Sequence, residues 1–169
     1  MANHISRRRF VTLTFGSIIG FGLTACGGGG ASGPTGSSAP AAGSGPAITL
    51  AIGSAGDDSR FDKETLVAPA GSKITLTFSN KAKPETNRQF NWVLVKPGTQ
   101  LKVVNDGLTE GEANGFVKPN DPNVIVATKL LKAGESDSVT FDAPAPGDYP
   151  YVCTYPGFYT RMRGVLTIK

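Results

Sequence analysis

From residue 47 to the C-terminus, large apolar side chains alternate with small or polar ones. Ile48-Thr49-Leu50-Ala51-Ile52 and Ile74-Thr75-Leu76-Thr77-Phe78 carry them at every second position, a period of two that predicts strands with one face on a core. Trp92 to Val95, Val139 to Phe141, Tyr149 to Thr154 and Gly164 to Ile168 extend the set. Pro69-Ala70-Gly71, Lys96-Pro97-Gly98, Ala133-Gly134 and Pro144-Ala145-Pro146-Gly147 supply turns between them. Short strands at this spacing predict an all-β fold of two packed sheets. One short helix is a candidate between Thr99 and Ala113, with Thr99 at its N-cap, although Gly107 and Gly111 count against it. Residues 114–129, with Pro119 and Asp121-Pro122, read as an irregular excursion. The chain contains no internal repeat.

Residues 1–25 depart from this pattern. Arg7, Arg8 and Arg9 precede an uncharged apolar stretch of 14 residues from Phe10 to Leu23, shorter than the roughly 20 that cross a bilayer and ordered as a targeting segment is. Ser6-Arg7-Arg8-Arg9-Phe10-Val11 resembles a twin-arginine export signal. Leu23-Thr24-Ala25-Cys26 resembles a bacterial lipobox, which implies cleavage before Cys26, diacylation of its thiol, and anchoring on the outer face of the cytoplasmic membrane. Residues 27–46, GGGGASGPTGSSAPAAGSGP, hold no charge and no large apolar side chain. They cannot bury enough surface to offset ordering and so form a tether, with a reach of about 25 Å. No Lys-Ser/Thr follows to make the glycines a phosphate loop. The plan is therefore a signal segment at 1–25, a lipid-anchored linker at 26–46 and one domain at 47–169.

Charge sharpens this plan. The full chain has 17 Lys and Arg against 13 Asp and Glu; losing residues 1–25 removes three arginines and no acid, taking the net charge from +4 to +1. The basicity belongs largely to the signal, and a nucleic-acid partner loses its electrostatic footprint. The only histidine, His4, leaves with it. Two cysteines are too few for a disulfide-dense scaffold.

The chemistry-bearing segment is Tyr149-Pro150-Tyr151-Val152-Cys153-Thr154-Tyr155-Pro156-Gly157-Phe158-Tyr159-Thr160-Arg161-Met162. A cysteine at a strand end, a Pro-Gly turn and a methionine nine residues on form a loop able to bring both sulfurs to one point. Together with Phe90-Asn91-Trp92-Val93-Leu94-Val95, this segment resembles the blue-copper proteins, or cupredoxins, most closely the auracyanins of photosynthetic bacteria. The resemblance spans residues 47–169 and implies a Greek-key β-sandwich with one short helix or irregular insertion. Its loop spacing, cysteine, four residues, a second ligand, three residues, methionine, falls on Cys153, Phe158 and Met162.

The resemblance also implies histidine at the positions of Phe90 and Phe158. A type 1 copper site takes two imidazole nitrogens and a thiolate in a plane with a weak axial thioether. Cys153 and Met162 are thus retained ligand positions, and Phe90 and Phe158 lost ones. A phenyl ring fills much of the space of an imidazole, and a buried Cys153 with no cation beside it is expected to be an inert thiol of raised pKa. The resemblance implies that Asn91 and Thr154 hydrogen-bond across the two ligand-bearing loops; read by itself, Asn91 is also an ordinary strand-end amide. Trp92 and Tyr151 lie on predicted strands and are expected in the core rather than in an electron relay.

Electron transfer is the function the resemblance implies. The residues point instead to a copper-free scaffold or docking module, joined to the membrane through lipid on Cys26 and meeting a redox protein near Phe158, Tyr155 and Tyr159. The alternative is weak Cu(I) handling by the thiolate of Cys153 and the thioether of Met162. The cofactor expectation is none, with copper as the candidate. An enzyme is not expected: Asp57-Asp58 and Glu110 with Glu112 read as solvated loop charges, and Cys153 has no histidine to activate it.

Overall fold

Period-two patterning sets the strands of the computed structural model, which describes residues 45–169. The signal segment, Cys26 and all but the last two linker residues lie outside the described residues. In chain order the elements are β1 (Ala47–Gly53), β2 (Thr65–Ala68), β3 (Lys73–Ser79), β4 (Val93–Val95), α1 (Gln100–Glu110), β5 (Val124–Ala127), β6 (Ser136–Asp142), β7 (Gly147–Val152) and β8 (Arg163–Ile168). They form two mixed sheets, ordered β1-β3-β6 and β2-β8-β7-β4-β5.

In the first sheet β1 runs parallel to β3, pairing Ile48 with Ile74, Leu50 with Leu76 and Ile52 with Phe78. β6 runs antiparallel on the other side and sets Phe141 and Val139 opposite Ile74 and Leu76. The apolar residues of three strands therefore share one face. The other face pairs hydroxyls, Thr75 with Thr140 at 3.0 Å and Thr77 with Ser138 at 2.8 Å. In the second sheet β8 joins β2 in parallel and β7 antiparallel, and β7 leads to β4 and β5. Ile74, Leu76 and Phe78 pack in one buried cluster with Trp92, Leu94, Tyr151, Leu166 and Ile168, the packed faces of a β-sandwich. Val93, Val95 and Val152 form a separate cluster with Val103 and Val104 of α1. The helix thus covers the outer side of β4, and all three β4 residues are buried.

Two expectations hold with a difference in detail, and one is overturned. The helix forms despite its glycines: Gly111 caps it at φ +73°, and Gly107 is required because a Cβ there would lie 2.0 Å from the Phe116 carbonyl oxygen. Thr99 occupies the N-cap, but its hydroxyl donates backward to the Lys96 carbonyl at 2.7 Å and caps no helical amide. The irregular reading of 114–129 is overturned over its last part, where β5 pairs with β4 through a register shift at Leu94 and Val95. Pro119 and Pro122 precede β5 and leave its ladder intact. The short β2, unmarked by the sequence pattern, is held by β8 through Thr65↔Val165 and Leu66↔Leu166.

Replacing Gly107 with alanine separates these effects. Helix propensity alone favours alanine by about 1 kcal/mol, whereas the close carbonyl makes Gly107→Ala destabilising, by about 1–3 kcal/mol. Chemical denaturation reads the sign; a stabilised variant would contradict the close approach.

Candidate functional site

The two sulfur-bearing residues meet because a short loop is closed by its own backbone. β7 ends at Val152, and the chain turns through Tyr155 to Thr160 before β8 begins at Arg163. The Phe158 amide donates to the Tyr155 carbonyl at 3.2 Å, and the amides of Arg161 and Met162 donate to the Phe158 carbonyl at 3.0 and 2.8 Å. The Cys153 amide then donates to the Met162 carbonyl at 3.0 Å. Both side chains are fully buried in the main core.

The opposing segment enters just before β4. Phe90 exchanges two backbone hydrogen bonds with Leu131, of 3.0 and 2.8 Å. Asn91 is fully buried and is more than a strand-end amide. Its Nδ2 donates to Thr154 Oγ1 at 2.7 Å and to the Gly115 carbonyl at 2.9 Å, and its Oδ1 accepts from the Thr154 amide at 2.9 Å. Asn80, unmarked in the sequence, fastens the same end: its Nδ2 donates to the carbonyls of Arg88 and Leu131 at 2.9 and 3.0 Å. Only tertiary pairing reveals that partnership.

Between these segments lies an aromatic stack. The rings of Phe90 and Phe158 meet edge to face with centroids 5.2 Å apart and planes at 76°, a favoured arrangement worth about 0.5–1.5 kcal/mol beyond burial. Phe90 is fully buried and Phe158 half-buried. Tyr155 stacks on Phe158 at 5.5 Å, Phe116 meets Tyr155 edge-on at 5.2 Å, and the Arg88 guanidinium carbon lies 5.8 Å from the Phe158 ring centre. Phe116 and Arg88 come from segments the sequence did not connect to the site; Asn114-Gly115 before Phe116 is a turn signal. Tyr159 is placed apart from this stack, against the valine cluster beneath α1. Trp92 and Tyr151 are core residues, their rings 5.6 Å apart.

Burial pushes the Cys153 thiol up to about 11, with the backbone amides of Asn91 and Tyr155 drawing it part of the way back. Burial, followed by the nearby charges of Glu64 and Asp62, likewise raises the Tyr151 phenol, which donates to the Lys63 carbonyl at 2.7 Å. The donor atoms assembled here are one thiol and one thioether. A phenyl ring has no lone pair to place in a metal's plane, and residues 45–169 contain no histidine. Among the described residues no group of three or more His, Cys, Asp and Glu comes together. This donor set does not fit a type 1 copper centre.

The model of the copper-binding proteins of the plastocyanin/azurin family matches residues 48–169. The chain belongs to this family. As a cupredoxin it is 41% identical over 149 residues to Auracyanin-A of Chloroflexus aurantiacus, covering 87% of this chain and 88% of that protein. Azurin-1 of Alcaligenes xylosoxydans xylosoxydans is 40% identical over 120 residues, 68% of this chain and 93% of that one. Among solved structures, dithionite-reduced auracyanin from Roseiflexus castenholzii matches with a TM-score of 0.68 at 38% identity, covering 74% of this chain and 99% of that chain. The cupredoxin family binds copper and serves electron transfer. Among the described residues no helix is long and apolar enough to cross a membrane.

The raised thiol carries a pH dependence of known sign. The folded state favours the neutral form of Cys153, so its contribution is complete below the ordinary value of 9.0 and is lost as the pH rises through about 11. Stability against urea should fall by about 2–3 kcal/mol more in the native protein than in Cys153→Ala over that interval. Equal losses would mean that Cys153 is not held neutral by burial.

Proposed function

We propose that this cupredoxin works without a type 1 copper centre, as a scaffold that docks a partner protein through the loop end bearing Phe158 and Tyr155. In this reading Cys26 carries lipid, residues 27–46 hold the domain above the outer face of the bacterial cytoplasmic membrane, and no catalysis is involved. The observation that carries it is the edge-to-face contact of Phe90 and Phe158 at 5.2 Å over a buried Cys153 and Met162. By the family resemblance the two rings stand where imidazole ligands are expected; Phe90 is fully buried and Phe158 packs half-buried against the same cluster. The stacked, half-buried Phe158 and Tyr155 leave part of an aromatic pair at the surface, a residue type enriched in protein interfaces.

A second reading has its own observation. Cys153 and Met162 are bound to each other through the backbone at 3.0 Å and share one buried cluster, so a soft monovalent ion such as Cu(I) would find thiolate and thioether together. The raised Cys153 pKa opposes it, because the thiolate is the ligand.

Restoring the imidazoles tests the first reading. If the Cys153 to Met162 loop keeps cupredoxin geometry, Phe90→His with Phe158→His creates a blue copper band, and either change alone gives weak or atypical binding. A double variant that binds no copper would contradict the assignment of these two positions. Docking is read separately: Phe158→Ala should lose partner capture by at least about tenfold, and unchanged capture would sink the docking role.

A further inference from the structure

Four arginines follow residue 46, at positions 60, 88, 161 and 163, and the fold gathers all four around the Cys153 to Met162 loop. Arg60, Arg161 and Arg163 line one cavity of about 260 Å³ together with Thr160 and Glu64. Arg88 stands over the Phe158 ring at 5.8 Å, and its Nη1 donates at 2.7 Å to the hydroxyl of Ser59, the chain neighbour of Arg60. The Arg161 amide donates to the Phe158 carbonyl at 3.0 Å. A continuous run from Arg88 through Ser59, Arg60 and the cavity to Arg161 therefore borders the aromatic surface.

Ion pairing sorts the cations. Among the described residues the ion pairs are Lys73–Asp142, Lys81–Asp62, Lys83–Asp57 and Lys102–Asp106. Lysine supplies every cation in them, and none of the four arginines takes part. Among the described residues Glu64 is the only acidic group lining the cavity, against three guanidiniums. Asp57, which feels Arg88, is engaged by the Lys83 amide and ammonium. Guanidinium forks match carboxylates bidentately, and arginine with aromatic residues makes up the energetic centres of protein interfaces. A lipid surface would call for apolar side chains to insert beside the charges. The most exposed large apolar residues, Val67, Leu101 and Leu108, lie on β2 and α1 instead, and Phe158 and Tyr155 at the loop end are half-buried and packed on each other rather than free to insert.

We infer that the loop end receives an acidic protein surface, whose carboxylates pair with Arg60, Arg161 and Arg163 while the Phe158 and Tyr155 rings meet its apolar centre. The inference rests on the docking role above and supplies the chemistry of the partner. The arginines steer and orient the encounter.

Immobilised poly-L-glutamate serves as the probe, with vesicles of phosphatidylcholine and phosphatidylglycerol as the comparison, both at low ionic strength. Arg161→Glu with Arg163→Glu should weaken poly-L-glutamate binding by about tenfold or more, and the milder Arg161→Gln with Arg163→Gln should fall between that and the native protein. Lys96→Glu with Lys169→Glu changes the charge equally but at the far ends of β4 and β8, and should stay within about twofold. Equal losses in the two reversed pairs would reduce the effect to net charge and overturn the inference. So would arginine-dependent binding to the vesicles with none to poly-L-glutamate. The two ideas fail separately: the docking role fails in partner capture by Phe158→Ala, and the acidic partner fails in the comparison of arginine with lysine reversals.

Discussion

Asn91 holds the loop end together. Its side chain joins three segments far apart in the chain, the entry to β4, the Gly115 turn and the strand end at Thr154, through hydrogen bonds of 2.7 to 2.9 Å. Each such bond contributes about 1 kcal/mol net, but leaving any of these buried atoms unpaired costs about 1–3 kcal/mol. With Asn91 fixed, Phe90 beside it and Cys153 beside Thr154 are brought to one place, and the aromatic stack has a single geometry in which to form. This clasp is indifferent to metal: all of its atoms are amide, carbonyl and hydroxyl groups of the chain.

The side chains inside the clasp pack without needing an ion. In a type 1 centre the pocket's polar nitrogens are satisfied by the ion. Here the enclosed side chains are Phe90, Cys153 and Met162, all fully buried, and none of them needs a partner to be at rest in an apolar interior. A phenyl ring in place of imidazole removes a buried polar atom that would otherwise ask for a hydrogen bond. The half-buried ring of Phe158 stacks against Tyr155, with the Arg88 guanidinium carbon 5.8 Å from its centre. In the docking role proposed above, this ring pair is the part of the loop end that meets a partner.

Much of this was legible in the chain. β1 and β3 alternate cleanly because each has one face in the core and one in water, and the loop spacing from Cys153 to Met162 marked the family. β2 was not legible, since its four residues follow the charged Lys63-Glu64 and depend on a parallel partner about a hundred residues away. β5 was masked by the prolines before it, and Gly107 argued against a helix that needs it for a carbonyl contact made after the fold closes. At the site, Asn91 and Thr154 were paired through the resemblance. Asn80, Phe116 and Arg88 carry no mark in the chain, because their roles arise from through-space contacts that no local pattern encodes. Tyr159 is next to Phe158 in sequence, yet the turn sends it to the valine cluster on the other side of the second sheet.

In the function proposed above, aromatic packing stands in place of ligation around Cys153. This is tested most directly by adding Cu(II), and Cu(I) under reducing conditions, to the purified native protein and measuring bound copper together with the visible spectrum. No stoichiometric copper and no intense blue band are expected. One tightly held copper per chain with such a band would contradict it.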